Sequence, residues 1–232
     1  MGDFHQNGNI TTLHNLSRRP LADMEQELVK FSHTRPMGLI LPSLFSELEG
    51  EAMPKIIDEL KQVPYLNQIV IGLDRADENQ YREALSFFAD LPQEHRVLWN
   101  DGPRLKALDA KLQKLDLAPK ELGKGRNVWY CMGYTLACNK AESVALHDCD
   151  ITTYNRELLA RLIYPVANPR FNYEFCKGYY ARVADGKING RVSRLLVTPL
   201  LRALKKTVGD MQYLEYMDSF RYPLAGEFSF RK

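Results

Sequence analysis

Apolar residues recur along this chain with two alternating periods, and the alternation predicts an ordered set of strands and helices. Met37-Gly38-Leu39-Ile40-Leu41 is a short apolar run that reads as a first core strand stopped by Pro42. Ser43 to Glu49 reads as a strand-to-helix loop, and residues 51–63 as a helix with Met53, Ile56, Ile57 and Leu60 on one face. Residues 68–74 form a second strand ending in Asp74, where a turn former and a ligand contact are both open readings. A second amphipathic helix over 78–90, a third strand over 96–100 and a helix over 106–117 follow. The order β-α-β-α-β predicts a parallel sheet with right-handed crossovers, covered by helices.

The second half opens on Gly123-Lys124-Gly125-Arg126-Asn127, from which a helix runs to about residue 140. The strand 143–146 then ends in Asp148 and Asp150, and Asn155 resembles an N-cap for a helix over 156–164 closed by Pro165. Residues 171–183 alternate and are rich in aromatics, as a long strand would be, with a turn over 184–187. A helix begins at Gly190-Arg191-Val192-Ser193 with a kink at Pro199, and another covers 211–220. Before the core, residues 1–20 are polar and turn-rich and read as an arm, and Leu21, Met24, Leu28 and Phe31 mark a peripheral helix.

Charge and composition narrow the class. Among 232 residues, 31 Lys and Arg face 29 Asp and Glu, which argues against a general nucleic-acid binder. No apolar stretch approaches a membrane span and the first residues lack signal-peptide features, so a cytoplasmic enzyme without membrane or nucleic-acid partners is the expectation. The four cysteines show no metal or redox spacing and read as reduced thiols. His5, His14 and His33 belong to no metal-spaced cluster and read as surface residues.

Three stretches carry candidate chemistry. Asp148-Cys149-Asp150 would present two carboxylates at the carboxyl end of a strand, a set of oxygen ligands suited to Mg²⁺ or Mn²⁺. A polar strand end or an N-cap are its plain alternatives, though Asn155 is the better cap; His147 and Cys149 alternate away from the carboxylates and read as packing. Lys124, between two glycines at a helix start, suits a phosphate, though a simple Gly-rich turn fits the local residues slightly better; the spacing is not that of a P-loop. Arg191 and Ser193 near another helix start suit an anion, against the alternative of a solvated first turn.

Taken together, Pro42-Ser43-Leu44 with Glu47, Gly123-Lys124-Gly125, Asp148-Cys149-Asp150, Gly190-Arg191-Val192-Ser193 and Tyr222-Pro223-Leu224-Ala225-Gly226-Glu227 resemble the glucosyl-3-phosphoglycerate synthases. These are retaining nucleotide-sugar glycosyltransferases of the GT-A fold, a mostly parallel, Rossmann-like α/β sheet flanked by helices. The resemblance implies a transferase domain over 36–232 behind an arm and peripheral helix over 1–35. It implies transfer of glucose from UDP- or GDP-glucose to 3-phosphoglycerate, and carries the expectation of a homodimer. Pro42, Ser43, Leu44, Glu47, Lys124, Asp148, Cys149, Gly226 and Glu227 would bind the donor. Asp148 and Asp150 would hold Mg²⁺ or Mn²⁺, Gly190, Arg191 and Ser193 would bind the acceptor, and Lys124, Asp150 and Leu224 would lie at the reacting centre.

The sequence departs from the family in one respect. Members continue beyond the Leu-Ala-Gly-Glu region, and their later segment contributes a metal-binding histidine; here no histidine follows His147. The expectation is a truncated form, a site completed by another chain, or a nucleotide-sugar-binding module without efficient turnover. Transfer of another sugar or to another acceptor, such as mannosyl transfer or transfer to glycerate, is the alternative that keeps the fold.

Overall fold

The computed structural model describes residues 10–13, 19–180, 182–184, 187–189 and 192–232. They fall into two compact units, one of Arg19–Cys176 with Glu227–Lys232, the other of residues 10–13 with the described residues of Lys177–Gly226.

The first unit is a mixed α/β structure. In chain order its elements are α1 (Leu21–Ser32), β1 (Met37–Leu44), α2 (Phe45–Leu48), α3 (Ala52–Leu60), β2 (Leu66–Asp74), α4 (Glu78–Phe88), β3 (His95–Trp99), α5 (Pro103–Lys114), α6 (Lys124–Cys138), β4 (Ser143–Leu146) and α7 (Arg156–Ala167). Strands β5 (Phe175–Lys177) and, from the end of the chain, β8 (Phe228–Arg231) complete a six-stranded sheet of order β3-β2-β1-β4-β8-β5. Strands β1 to β4 are parallel, and β8 runs antiparallel to β4.

The period of two along the strands explains the layering. Leu39, Leu41, Ile69, Ile71 and Leu73 project to one face, against Met53 and Ile56 of α3, Leu159 and Ile163 of α7 and the fully buried Leu28 of α1. Ile40, Val70, Val144 and Leu146 project to the other, against Cys131 with Val128 and Met132 of α6. Burying each such aliphatic side chain contributes roughly 1.5–3 kcal/mol, so a sheet covered on both faces selects continuous apolar strands. Leu28 lies in the same core as β1, which joins α1 to the sheet unit.

Several elements differ from the sequence expectation. Pro42 does not stop β1, which pairs with β2 through Leu44. The Ile40 carbonyl accepts from His147 N–H, so by alternation Pro42 turns its missing N–H toward β4, beyond the last paired residue there, Leu146. The expected loop after Pro42 holds the one-turn helix α2. Helix α7 continues through Pro165, because Val166 and Ala167 are wholly buried and its end is held by Arg35, which donates to the carbonyls of Val166 and Asn168. The expected strand over 171–183 is broken: Phe171 packs its ring against Tyr164 and Tyr173, and only Phe175–Lys177 pairs in the sheet. Strand β8 was not among the expected elements.

In the second unit, β6 (Arg182–Ala184) pairs antiparallel with β7 (Lys187–Asn189), and part of the expected turn between them lies outside the described residues. A five-residue π-helical segment, Ser193–Val197, leads into α8 (Thr198–Val208), followed by α9 (Gln212–Ser219). The kink expected at Pro199 takes this form: Thr198 N–H donates to Ser193 five residues back, and the wider turn precedes the proline that has no N–H to give.

Candidate active site

The four parallel strands point their carboxyl ends to the same edge of the sheet, with β4 stopping short opposite Ile40, and the chain reverses its lateral direction between β1 and β4: β2 and β3 lie on one side of β1, β4 on the other. Open α/β sheets form their ligand crevice at such a reversal. The residues there come from three places: the end of β1 with α2, the start of α6, and the end of β4.

From β4 the chain runs into His147, Asp148, Cys149 and Asp150. The alternation holds: His147 and Cys149 are buried, Asp148 is half-buried and Asp150 exposed. Cys149 packs in the core, where burial pushes its thiol well up. Its expected donor contact can therefore come only from its main chain.

From α6 comes Lys124, whose ammonium forms an ion pair with Asp148. Gly123 caps this helix with φ of +142°, a conformation that favours glycine. The first turn is fixed by Asn127, whose side-chain amide donates to the Gly72 carbonyl of β2 at 2.8 Å. Sequence reasoning assigned Asn127 no role; its partner is remote in the chain.

From α2 comes Glu47, whose carboxylate accepts from Leu44 N–H at 2.9 Å and so ties the one-turn helix to the end of β1. Burial raises the Glu47 carboxyl above its ordinary value, the hydrogen bond from Leu44 and contact with Ser43 oppose this, and nearby Asp150 and Lys124 pull in opposite directions. Glu47 thus shares the local field of Lys124 and Asp150. Ser43 is buried, and its hydroxyl donates to the Leu44 carbonyl at 2.9 Å.

Pro42, Ser43, Leu44, Glu47, Lys124, Asp148, Cys149 and Asp150 are therefore all carried at this edge of the first unit. Glu227 belongs to the same unit beside β8 and is buried, with no hydrogen-bond partner for Oε2 among the described residues. Leu224, exposed, and Gly226 belong to the second unit, as does Ser193, whose buried hydroxyl has no hydrogen-bond partner among the described residues. Gly190 and Arg191 lie outside the described residues.

The donor set fits a hard divalent cation. Asp148 and Asp150 supply carboxylate oxygens, and Asp148 already draws a cationic side chain. Among the described residues no three His, Cys, Asp or Glu side chains are grouped to hold a metal, so further ligands would have to come from phosphate oxygens or other groups.

No family model matches the chain. A glucosyl-3-phosphoglycerate synthase of Persephonella marina is 50% identical over 230 residues, covering 99% of this chain and 57% of its own length. The chain is homologous to part of the glucosyl-3-phosphoglycerate synthases. A second curated synthase, from Methanococcoides burtonii, is 40% identical over 235 residues, 98% of this chain and 56% of its own length. The chain thus spans little more than half the length of these relatives. Among solved structures, a glucosyl-3-phosphoglycerate synthase of Mycobacterium tuberculosis in complex with Mn²⁺, UDP and glucosyl-3-phosphoglycerate matches with a TM-score of 0.59 at 20% identity. The match covers 95% of this chain and 63% of that one, and places the six-stranded α/β unit in the fold of the glucosyl-3-phosphoglycerate synthases.

Proposed function

We propose that this chain carries the donor-binding machinery of a glucosyl-3-phosphoglycerate synthase, transferring glucose from UDP-glucose to 3-phosphoglycerate with retention, in the cytoplasm. The observation that carries the reading is the convergence of Lys124, Asp148, Asp150 and Glu47 at the reversal between β1 and β4. It occurs in a chain half identical to a curated synthase.

The residues divide the work by their chemistry. The Pro42–Leu44 strand end and Glu47 would line the nucleoside. Asp148 and Asp150 would hold Mn²⁺ or Mg²⁺, which when bound neutralises charge growing on the diphosphate leaving group. The Lys124 ammonium would leave Asp148 for the diphosphate oxygens, a trade between two anions on a side chain long enough to reach both. Gly190, Arg191 and Ser193 would take the phosphate and carboxylate of the acceptor, for which an arginine fork is well shaped. Leu224, Gly226 and Glu227 would line the sugar, and holding donor and acceptor together would supply much of the rate. Among the described residues no helix is long and apolar enough to cross a membrane, which is consistent with a soluble substrate pair.

Calorimetric titration of UDP with and without Mn²⁺ tests the donor half. Asp150→Ala should remove the metal-dependent part of the affinity and leave the metal-free part; affinity indifferent to Mn²⁺ and to this substitution would refute the assignment. A coupled transfer assay with UDP-glucose and 3-phosphoglycerate tests the rest. Donor binding without product would identify a nucleotide-sugar-binding module instead.

A further inference from the structure

Lys124 is the first residue of α6, so where its ammonium can reach depends on how the first turn of that helix is held. Asn127 holds it twice. Its backbone N–H donates to the Gly123 carbonyl at 3.1 Å, closing the turn around Lys124. Its side-chain amide donates to the Gly72 carbonyl at 2.8 Å, fastening the turn to β2. The amide is 3% exposed, and its oxygen faces the Cys131 thiol at 3.5 Å.

Strand β2 is shaped to receive this side chain. A Cβ on Gly72 would lie 1.8 Å from Asn127 Oδ1 and 2.5 Å from Cys131 Sγ, so the close approach requires glycine. Gly72 stands in register with Pro42, at the strand end read above as the nucleoside contact. Val128, Cys131 and Met132 pack α6 on the sheet through apolar contacts that tolerate small sliding of the helix, and the other polar tie of α6 to β2, from the Cys138 thiol to Gln68 Oε1 at 3.0 Å, lies at the far end of the helix from Lys124. A single buried amide bonded to a fixed carbonyl does not tolerate such sliding, because displacement would leave both groups unpaired at a cost of about 1–3 kcal/mol.

We propose that Asn127 is a positioning residue for donor binding: through the Gly72 carbonyl it sets the first turn of α6 so that the Lys124 ammonium stands at the Asp148 carboxylate, where a nucleoside diphosphate would meet it. The inference rests on the reading of Lys124 as a diphosphate contact.

A double-mutant cycle separates positioning from general support. UDP is titrated in the presence of Mn²⁺ into the parent chain, Lys124→Ala, Asn127→Ala and the double variant, with thermal unfolding measured alongside. Lys124→Ala should weaken UDP roughly tenfold, the scale of one charge-assisted hydrogen bond. Asn127→Ala should weaken it by about three- to tenfold, and the double variant should bind within about twofold of Lys124→Ala, since a residue acting through the lysine has nothing left to position. Losses that multiply in the double variant, or an Asn127→Ala protein that binds UDP as the parent does, would overturn the inference while leaving the Lys124 reading intact. A Lys124→Ala protein with undiminished UDP affinity would overturn that reading and the inference with it. Asn127→Ser, which keeps a small polar group in the pocket, carries the same cycle if the alanine variant does not fold.

Discussion

His147 gives the fold a dependence on acid that can be calculated. Its ring is buried at the end of β4, edge-on to Tyr154 at 5.4 Å between centroids, and neither ring nitrogen has a hydrogen-bond partner among the described residues. Burial pushes its pKa down to about 4 from an ordinary 6.5, and the neighbouring Asp148 only partly opposes this. The folded protein therefore holds the ring neutral while the unfolded chain protonates it readily. Between the two values the unfolded state binds more protons, so stability falls as pH falls, by about 1.4 kcal/mol per pH unit, and the full contribution is present only above pH 6.5. Over the whole interval the loss attributable to His147 is about 3 kcal/mol, a large fraction of a typical domain's stability. Replacing the ring with one that cannot titrate isolates the effect. His147→Phe keeps an aromatic edge against Tyr154, and urea unfolding followed by the fluorescence of Trp99 and Trp129 gives the stability of both proteins from pH 4.5 to 8. The difference between parent and variant should widen in the variant's favour as pH drops below 6.5 and be constant above it. Parallel stability curves across this range would refute the account of the buried neutral ring.

Two further outcomes follow from backbone geometry. Gly123→Ala forces a side chain into φ of +142° and should cost about 1–3 kcal/mol in urea unfolding, although the added methyl group meets none of the described residues within 4 Å. Asn155→Ala removes the side chain that accepts from Leu158 N–H at the start of α7, and should lower stability by about 1 kcal/mol in the same measurement.

The first four strands and, apart from the one-turn α2, the helices between them were legible because each is a local pattern: a short apolar run, then a 3.6-residue periodicity, then a turn. The two carboxylates after β4 and the lysine between glycines were legible for the same reason, since the strand end and the helix start that carry them announce themselves in a few residues. Pro42 was misread because the rule against proline in a strand depends on whether a neighbour wants its N–H, and β4 ends before reaching it. The run 171–183 was misread because aromatic alternation on one segment looks the same whether the rings pair across a sheet or, like Phe171, fold back on a helix. Asn127 was invisible for a deeper reason: its role exists only with Gly72, 55 residues earlier, and neither residue suggests the other. Arg191 and Gly190, the centre of the expected acceptor site, lie outside the described residues.

The insertion of β8 between β4 and β5 also constrains the order in which the protein can be made. The Asp148 strand cannot acquire its second neighbour until Phe228–Arg231 has been synthesised, since Val144 pairs with Phe230 and Lys232 N–H closes the ladder on the Glu142 carbonyl. Until then β4 presents an open edge to other chains, and β5 has no strand to join. A chain emerging from the ribosome would thus pair β1 to β3 before β4, whose second edge closes only once Phe228–Arg231 has appeared. The slow, long-range closure of β8 on β4 is the step at which aggregation would compete with folding.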